Sequence, residues 1–306
     1  MVSKGAGVLR DVYQLLADRS AAAPDMDLAT MRDLFENMHT VTPEPEDVTY
    51  AEVEAGGTPA IWCLPVDRAD DRVLLHHHGG GFMVCSMYTD RKMAGHIAKA
   101  TGTRALVLDY PLAPEHAFPA QIDSSVAAFR WLLHQGYAAP HIASVGHSAG
   151  GNLCTSMVLA LRDAGLPLPA AVMPMSPWYD MELTGETLDT LAHLDAVVQR
   201  PLLSQMRAAY LGDRSLTTPL ANPLQADLAG FPPTLIYTGA EETLVSDTER
   251  FAERARAAGV DIRYQIVAEM QHSFAFLAGR APEADTAIRQ MTTWLRRHLG
   301  LETTGY

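Results

Sequence analysis

The sequence predicts an α/β fold: a mostly parallel eight-stranded sheet with helices on both faces and a helical cap. Three observations carry this. From residue 72 onward, short apolar runs alternate with helical stretches of 10 to 18 residues, which is the pattern of a parallel sheet covered on both sides. Two proline- or glycine-marked breaks set this region off from a purely helical start. Hydrophobic residues make up 48% of the 306-residue chain, enough for a sizeable core.

The elements follow in order. "VLRDVYQLLADRS" and "DLATMRDLFENMH", within residues 8–40, have apolar residues three and four apart and read as helices. "TPEPEDV" ends them with two prolines. "VTYAEVEA" and "PAIWCLPV" form a hairpin around Gly56 and Gly57. Then "RVLLHH", "RALVLDY", "HIASVG", "AAVMPMS", "TLIYTG" and "DIRYQIVA" are strands. The helices between and after them are "RKMAGHIAKATG", "QIDSSVAAFRWLLHQG", "AGGNLCTSMVLALRDAG", "SDTERFAERARAAG" and a last one over roughly 283–299. Residues 180–222 break the alternation with helical pieces and no strand. We expect a sheet core of residues 46–179 and 223–306. Residues 1–45 and the insertion 180–222 then cap the carboxyl ends of its strands.

Charge and cysteine content exclude several classes of partner. A net charge of -13 argues against nucleic acid and anionic membranes. Cys63, Cys85 and Cys154 are too few and too scattered for a disulfide framework or a zinc site. Cys85 and Cys154 read as packed thiols, with no base placed beside either. The first twenty residues lack the apolar core of a signal peptide, and no run of 18 apolar residues exists. The expectation is a soluble cytoplasmic protein acting on a small molecule, with no cofactor and no metal.

The first chemical feature is "SVGHSAGGN", residues 144–152, where a strand turns sharply into a helix. It holds G-x-S-x-G with Ser148 at its centre, and glycines two before and two after relieve crowding at such a turn. A serine hydroxyl needs a base, and a histidine held by a carboxylate is the usual one. Of twelve histidines, His272 lies in a loop after the last strand, where active groups of a parallel sheet collect. The His147 ring, next to Ser148 along the turn, should point elsewhere. The acid should follow the strand at 234–238, where Glu241, Glu242 and Asp247 stand. Asp247 suits the start of the next helix. Spacing leaves Glu241 and Glu242 both open.

"HHHGGGF", residues 76–82, has three histidines and three glycines in a row. Successive residues of a strand point to opposite faces, so the histidines do not converge on one metal ion. Neither GxGxxG nor GxxxxGK follows, so it is no phosphate loop. It reads as a strand end running into a loop bare of side chains.

With "HGGGF" and "GHSAGG" in place, the chain resembles the hormone-sensitive-lipase-like esterases of the α/β-hydrolase fold, bacterial family IV. "DYPLAPEHAFPAQIDSS" (109–125), "SPWYDM" (176–181) and "LAGFPPTLIYTG" (228–239) resemble the same family. The likeness runs from about residue 45 to 300. It implies a Ser148, Glu242, His272 triad, because Glu242-Thr243-Leu244 stands where the family often has Asp-Pro-Leu. It implies oxyanion donors at the backbone N–H groups of Gly80, Gly81 and Ala149, with His78 and Gly79 supporting the loop. Phe82, Met83, Met87, Tyr88, Trp178 and Tyr179 lie near the motifs and are candidates for a substrate pocket. His147 stands where aspartate is usual, and Cys85 where glycine commonly follows the loop. The implied activity is hydrolysis of small to medium acyl esters through an acyl-enzyme. The alternatives are a lactone hydrolase and, in another class, a non-catalytic ligand-binding protein. A homodimer is compatible with this reading.

Overall fold

The computed structural model describes residues 3–301. Residues 1, 2 and 302–306, at the ends of the expected segments 1–45 and 223–306, lie outside the described residues. The chain begins with α1 (Lys4–Ala22) and α2 (Leu28–Glu36). Each starts on a side-chain cap: Ser3 Oγ accepts the Ala6 N–H and Asp27 the Thr30 N–H, which satisfies an otherwise orphaned donor. The hairpin of β1 (Val48–Ala55) and β2 (Thr58–Pro65) turns at Gly56 and Gly57, as expected.

From there strands and helices alternate. They are β3 (Val73–His77), α3 (Met87–Thr101), β4 (Arg104–Leu108), α4 (Ala120–His134), β5 (Ile142–His147), α5 (Ala149–Asp163) and β6 (Ala171–Met175). After β6 come α6 (Thr187–Thr190) and α7 (Arg200–Leu211), with no strand between β6 and β7 (Thr234–Gly239). The chain closes with α8 (Val245–Ala257), β8 (Ile262–Val267) and α9 (Pro282–His298). Helix α3 starts four residues before the expected "RKMAGHIAKATG" because Ser86 and Thr89 form a capping box there. It ends at Gly102, whose left-handed backbone closes the helix.

All eight strands join one sheet in the order β1-β2-β4-β3-β5-β6-β7-β8. Its first three strands pair antiparallel and the rest parallel. Alternate strand residues feed opposite faces. Leu74, Ala105 and Val107 join the core beneath α1, α2, α3 and α9, while Val73, Leu75, Leu106 and Leu108 join the one under α4, α5 and α8. A buried Leu or Val of this kind contributes about 1.5–3 kcal/mol. Strands β3 and β5 are central neighbours, with His77 opposite Gly146. The "HHHGGGF" loop and the serine turn therefore leave the sheet side by side at its carboxyl edge. Among the described residues no helix is long and apolar enough to cross a membrane.

Candidate active site

Ser148 is the single residue between β5 and α5. Its backbone, φ 54 and ψ -124, is one that L-residues rarely adopt, and such strain costs about 1–3 kcal/mol. The turn is held from outside. The Ser148 N–H donates to the Met175 carbonyl at 3.0 Å, and the Ser148 carbonyl accepts from Trp178 N at 3.1 Å. Close packing dictates the glycine at 150, where a Cβ would lie 2.1 Å from the His77 carbonyl oxygen and 2.3 Å from that of His78. The elbow is thus pressed directly on the end of β3. The Gly151 and Asn152 N–H groups bond the Ser148 carbonyl, while Ala149, the first residue of α5, has no helical carbonyl one turn back and lies at the positive end of the helix.

The glycine loop is bare for a similar reason. A Cβ on Gly80 would meet the Val84 carbonyl oxygen at 2.1 Å, and one on Gly81 would meet the Met206 sulfur at 2.0 Å. Both have positive φ, +96 and +60. Gly80, Gly81, Ser148 and His272 border one cavity. The three histidines before the loop diverge, as strand alternation requires. His76 Nε2 reaches Asp90, His77 Nδ1 donates to the Val145 carbonyl, and the His78 ring stacks on Tyr110 at 4.0 Å. Burial pushes the His77 pKa down to about 3 and lowers that of His78. The His78 carbonyl also accepts a 2.9 Å hydrogen bond from the Tyr110 hydroxyl.

His272 sits in the loop after β8, and Tyr13 of α1 donates to its carbonyl at 2.7 Å. Its Nδ1 lies 3.3 Å from Oε2 of the fully buried Glu242, within ion-pair reach but out of line for a hydrogen bond. Neither Glu242 oxygen has an aligned hydrogen-bond partner among the described residues. A buried carboxylate left that way is costly, and what it faces is His272. Catalytic hydrogen bonds often tighten only around substrate. Burial raises the Glu242 pKa above the usual carboxylate value. Burial works against charge on His272, but Glu242, with Asp195 behind it, outweighs burial and raises its pKa above 6.5.

Glu241 faces the other way. It pairs with Arg10 of α1 and accepts from Gln271 Nε2. Asp247 lies in the first turn of α8, as expected, and accepts the N–H groups of Tyr179 and Asp180 at 2.7 and 2.8 Å. Burial lifts its pKa to about 7.

The cavity holds about 590 Å³, part of it open to solvent. Its walls come largely from residues the sequence did not single out, within 1–45 and 180–222: Tyr13 and Leu16 of α1, Phe35 of α2, Val198, and Leu203 and Met206 of α7. Of the six pocket candidates only Trp178 borders it. The other five are corrected. Tyr88 is 44% exposed and its hydroxyl donates to Glu52. Phe82 stacks on Tyr210 at 3.8 Å, and Tyr179 packs on Phe251. Met83 and Met87 are buried in the core beside the loop. Nearness in sequence to a motif does not decide which way a side chain faces: the consecutive Phe82 and Met83 both enter the core. Cys85 packs against the core as a packed thiol should, and its partly exposed side borders the cavity. Cys154 is packed as expected, and burial raises both thiols.

Sequence reasoning also missed Asp90 and Asp195, both buried beside the site. Asp195 accepts from the N–H groups of Val197, Val198 and Thr243, and so ties the insertion to the Glu242 loop. The "HLDAVV" stretch carries no local signal of this role. A cap-segment aspartate becomes informative only once its burial is known.

Comparison with known proteins agrees with this architecture. A family model described as the alpha/beta hydrolase fold matches residues 74–276. The chain is 34% identical over 297 residues to an acetyl-hydrolase of Streptomyces hygroscopicus, covering 91% of this chain and 98% of that protein. It is 33% identical over 252 residues to a carboxylesterase of Mycobacterium tuberculosis, covering 78% and 77%. Among solved structures, an esterase from the bacterial hormone-sensitive lipase family superposes with a TM-score of 0.92 at 41% identity, over 98% of this chain and 100% of that one. With the serine elbow, the glycine loop and the sheet order already in view, the chain belongs to the α/β-hydrolase family, as a hydrolase of its hormone-sensitive-lipase-like esterase branch.

Proposed function

We propose that the protein hydrolyses small to medium acyl esters through an acyl-enzyme formed on Ser148. The observation that carries this is the shared cavity: the strained Ser148, the bare Gly80-Gly81 loop and His272 all open onto it, with Glu242 buried behind His272. Ser148 Oγ attacks the ester carbonyl and His272 Nε2 takes its proton. Glu242 holds Nδ1–H and stabilises the imidazolium. The backbone N–H groups of Gly80, Gly81 and Ala149 receive the negative charge that forms on the carbonyl oxygen. His272 then protonates the leaving alcohol, the alcohol departs, and the same base activates the water that releases the acid.

Residues 1–45 and 180–222 act as the cap in this reading, since α1, α2 and α7 supply most of the apolar wall. That wall fits an acyl or alkyl group and offers no charged group for a peptide amine. The relatives named acetyl-hydrolase and carboxylesterase support the same substrate class. A cytoplasmic location belongs to the reading, supported by three free thiols.

A series of p-nitrophenyl esters from acetyl to dodecanoyl tests it. We expect the highest kcat/KM among short and medium acyl chains and a steep fall at the longest. A folded protein that cleaves none of them defeats the proposal. The pH profile is a second test. The base must be neutral, and its raised pKa keeps it protonated to higher pH. The acidic limb of kcat/KM should therefore fall away as pH drops through a value above 6.5. A limb well below that would place the base elsewhere.

A further inference from the structure

Beneath the site lies a buried cluster that the triad does not include. Asp90, fully buried in the first turn of α3, faces two imidazoles. His76 Nε2 is 2.7 Å from its Oδ2, and His147 Nε2 is 2.9 Å from the same atom. Burial opposes the charge on Asp90, but the two histidines hold its pKa far below the usual range, and the positive end of α3 favours a carboxylate there. His147 is the residue just before Ser148; it borders the cavity, and its ring reaches Asp90. The ring does not stop there. Its Nδ1 is 2.8 Å from the hydroxyl of Ser273, the residue after His272. Its Nε2 also stands 2.9 Å from the N–H of Gly79, at the root of the oxyanion loop. Phe276 packs edge-on against the ring at 5.0 Å.

The ring is held at both nitrogens: Nε2 lies against the Asp90 carboxylate and takes the Gly79 N–H at 2.9 Å, and Nδ1 meets Ser273 Oγ at 2.8 Å. Gly79 is held by packing as well: a Cβ there would meet the ring carbon Cε1 at 2.4 Å. Ser273 is fixed from its other side by its own N–H, which donates to Ser176 Oγ at 3.0 Å.

We propose that His147, clamped by Asp90, is a positioning residue that spaces the oxyanion loop at Gly79 and the His272 loop at Ser273 from one another. This rests on the proposed esterase mechanism. The two loops come from opposite halves of the chain, and the acyl-transfer geometry depends on the distance between them. A misplacement of about 1 Å in such an arrangement can cost about 100-fold in rate. Most of the apolar wall comes from α1, α2 and α7, so ground-state binding of the acyl group should be little affected.

The test uses the full chain and p-nitrophenyl butyrate. Wild-type hydrolysis is measured first; its absence would defeat the proposed function rather than this inference. His147→Gln removes the imidazole and Ser273→Ala removes one oxygen. We expect kcat to fall about 10- to 100-fold in the first and about 3- to 10-fold in the second, with KM within about two-fold of wild type in both. Folded variants whose kcat stays within two-fold of an active wild type overturn the inference. So does a rise in KM at unchanged kcat, which would leave His147 acting only as part of the cavity wall. Should His147→Gln fail to fold, Ser273→Ala decides by the same criteria.

Discussion

Ser148→Ala is expected to lower kcat by roughly 10⁴- to 10⁶-fold and to abolish covalent labelling by an organophosphate. The turn would survive the change. Alanine keeps the Cβ and the backbone hydrogen bonds to Met175 and Trp178, so circular dichroism and Tm should stay close to wild type. What vanishes is the atom proposed to form the acyl bond. The remaining oxyanion donors and cavity walls would still bind ester and keep a small excess over the reaction in water. The fall should thus appear in kcat with KM little changed. Labelling that persisted at another serine would remove Ser148 from the mechanism.

The second large effect separates two adjacent acids. Glu242→Gln should cost about 10³- to 10⁴-fold in kcat, the scale seen when a triad carboxylate becomes an amide and the imidazole takes the wrong tautomer. Glu241→Gln should cost about three-fold or less, because Glu241 meets Arg10 at a partly exposed surface, where ion pairs contribute little. The pH profile adds a check. Glu242 is the main group raising the His272 pKa, so any residual activity of Glu242→Gln should extend to lower pH than wild type. Equal losses in the two variants would undo the assignment.

How much of this could be read from the chain depends on what kind of information each feature needs. The parallel sheet was legible because strand and helix periodicity are local, and every strand from β1 to β8 falls where apolar runs do. Ser148 and the glycine loop were legible because a sharp turn and a bare loop demand specific residues in sequence. Glu242 and Glu241 were not separable by spacing, since the choice depends on which one the loop turns toward His272 and which toward α1. The cavity wall was read poorly for the same reason. Tyr88 lies close to the loop in sequence yet faces solvent, while Tyr13 lies 67 residues before Gly80 and borders it. The Asp90–His147 contact joins positions 57 apart, and no local pattern announces such a pairing.

The hydrogen bond from Tyr13 to the His272 carbonyl joins residues 259 positions apart. Contacts of that span form late, because a long loop must close before they can reward the chain. A partly folded or still-growing chain can build the serine elbow and the glycine loop from neighbouring strands, yet it lacks the proposed base until the stretch around His272 has been made and docked on α1. Reactivity toward esters should therefore arise at the end of folding rather than grow with it, and the exposed serine of an unfinished chain would be chemically quiet.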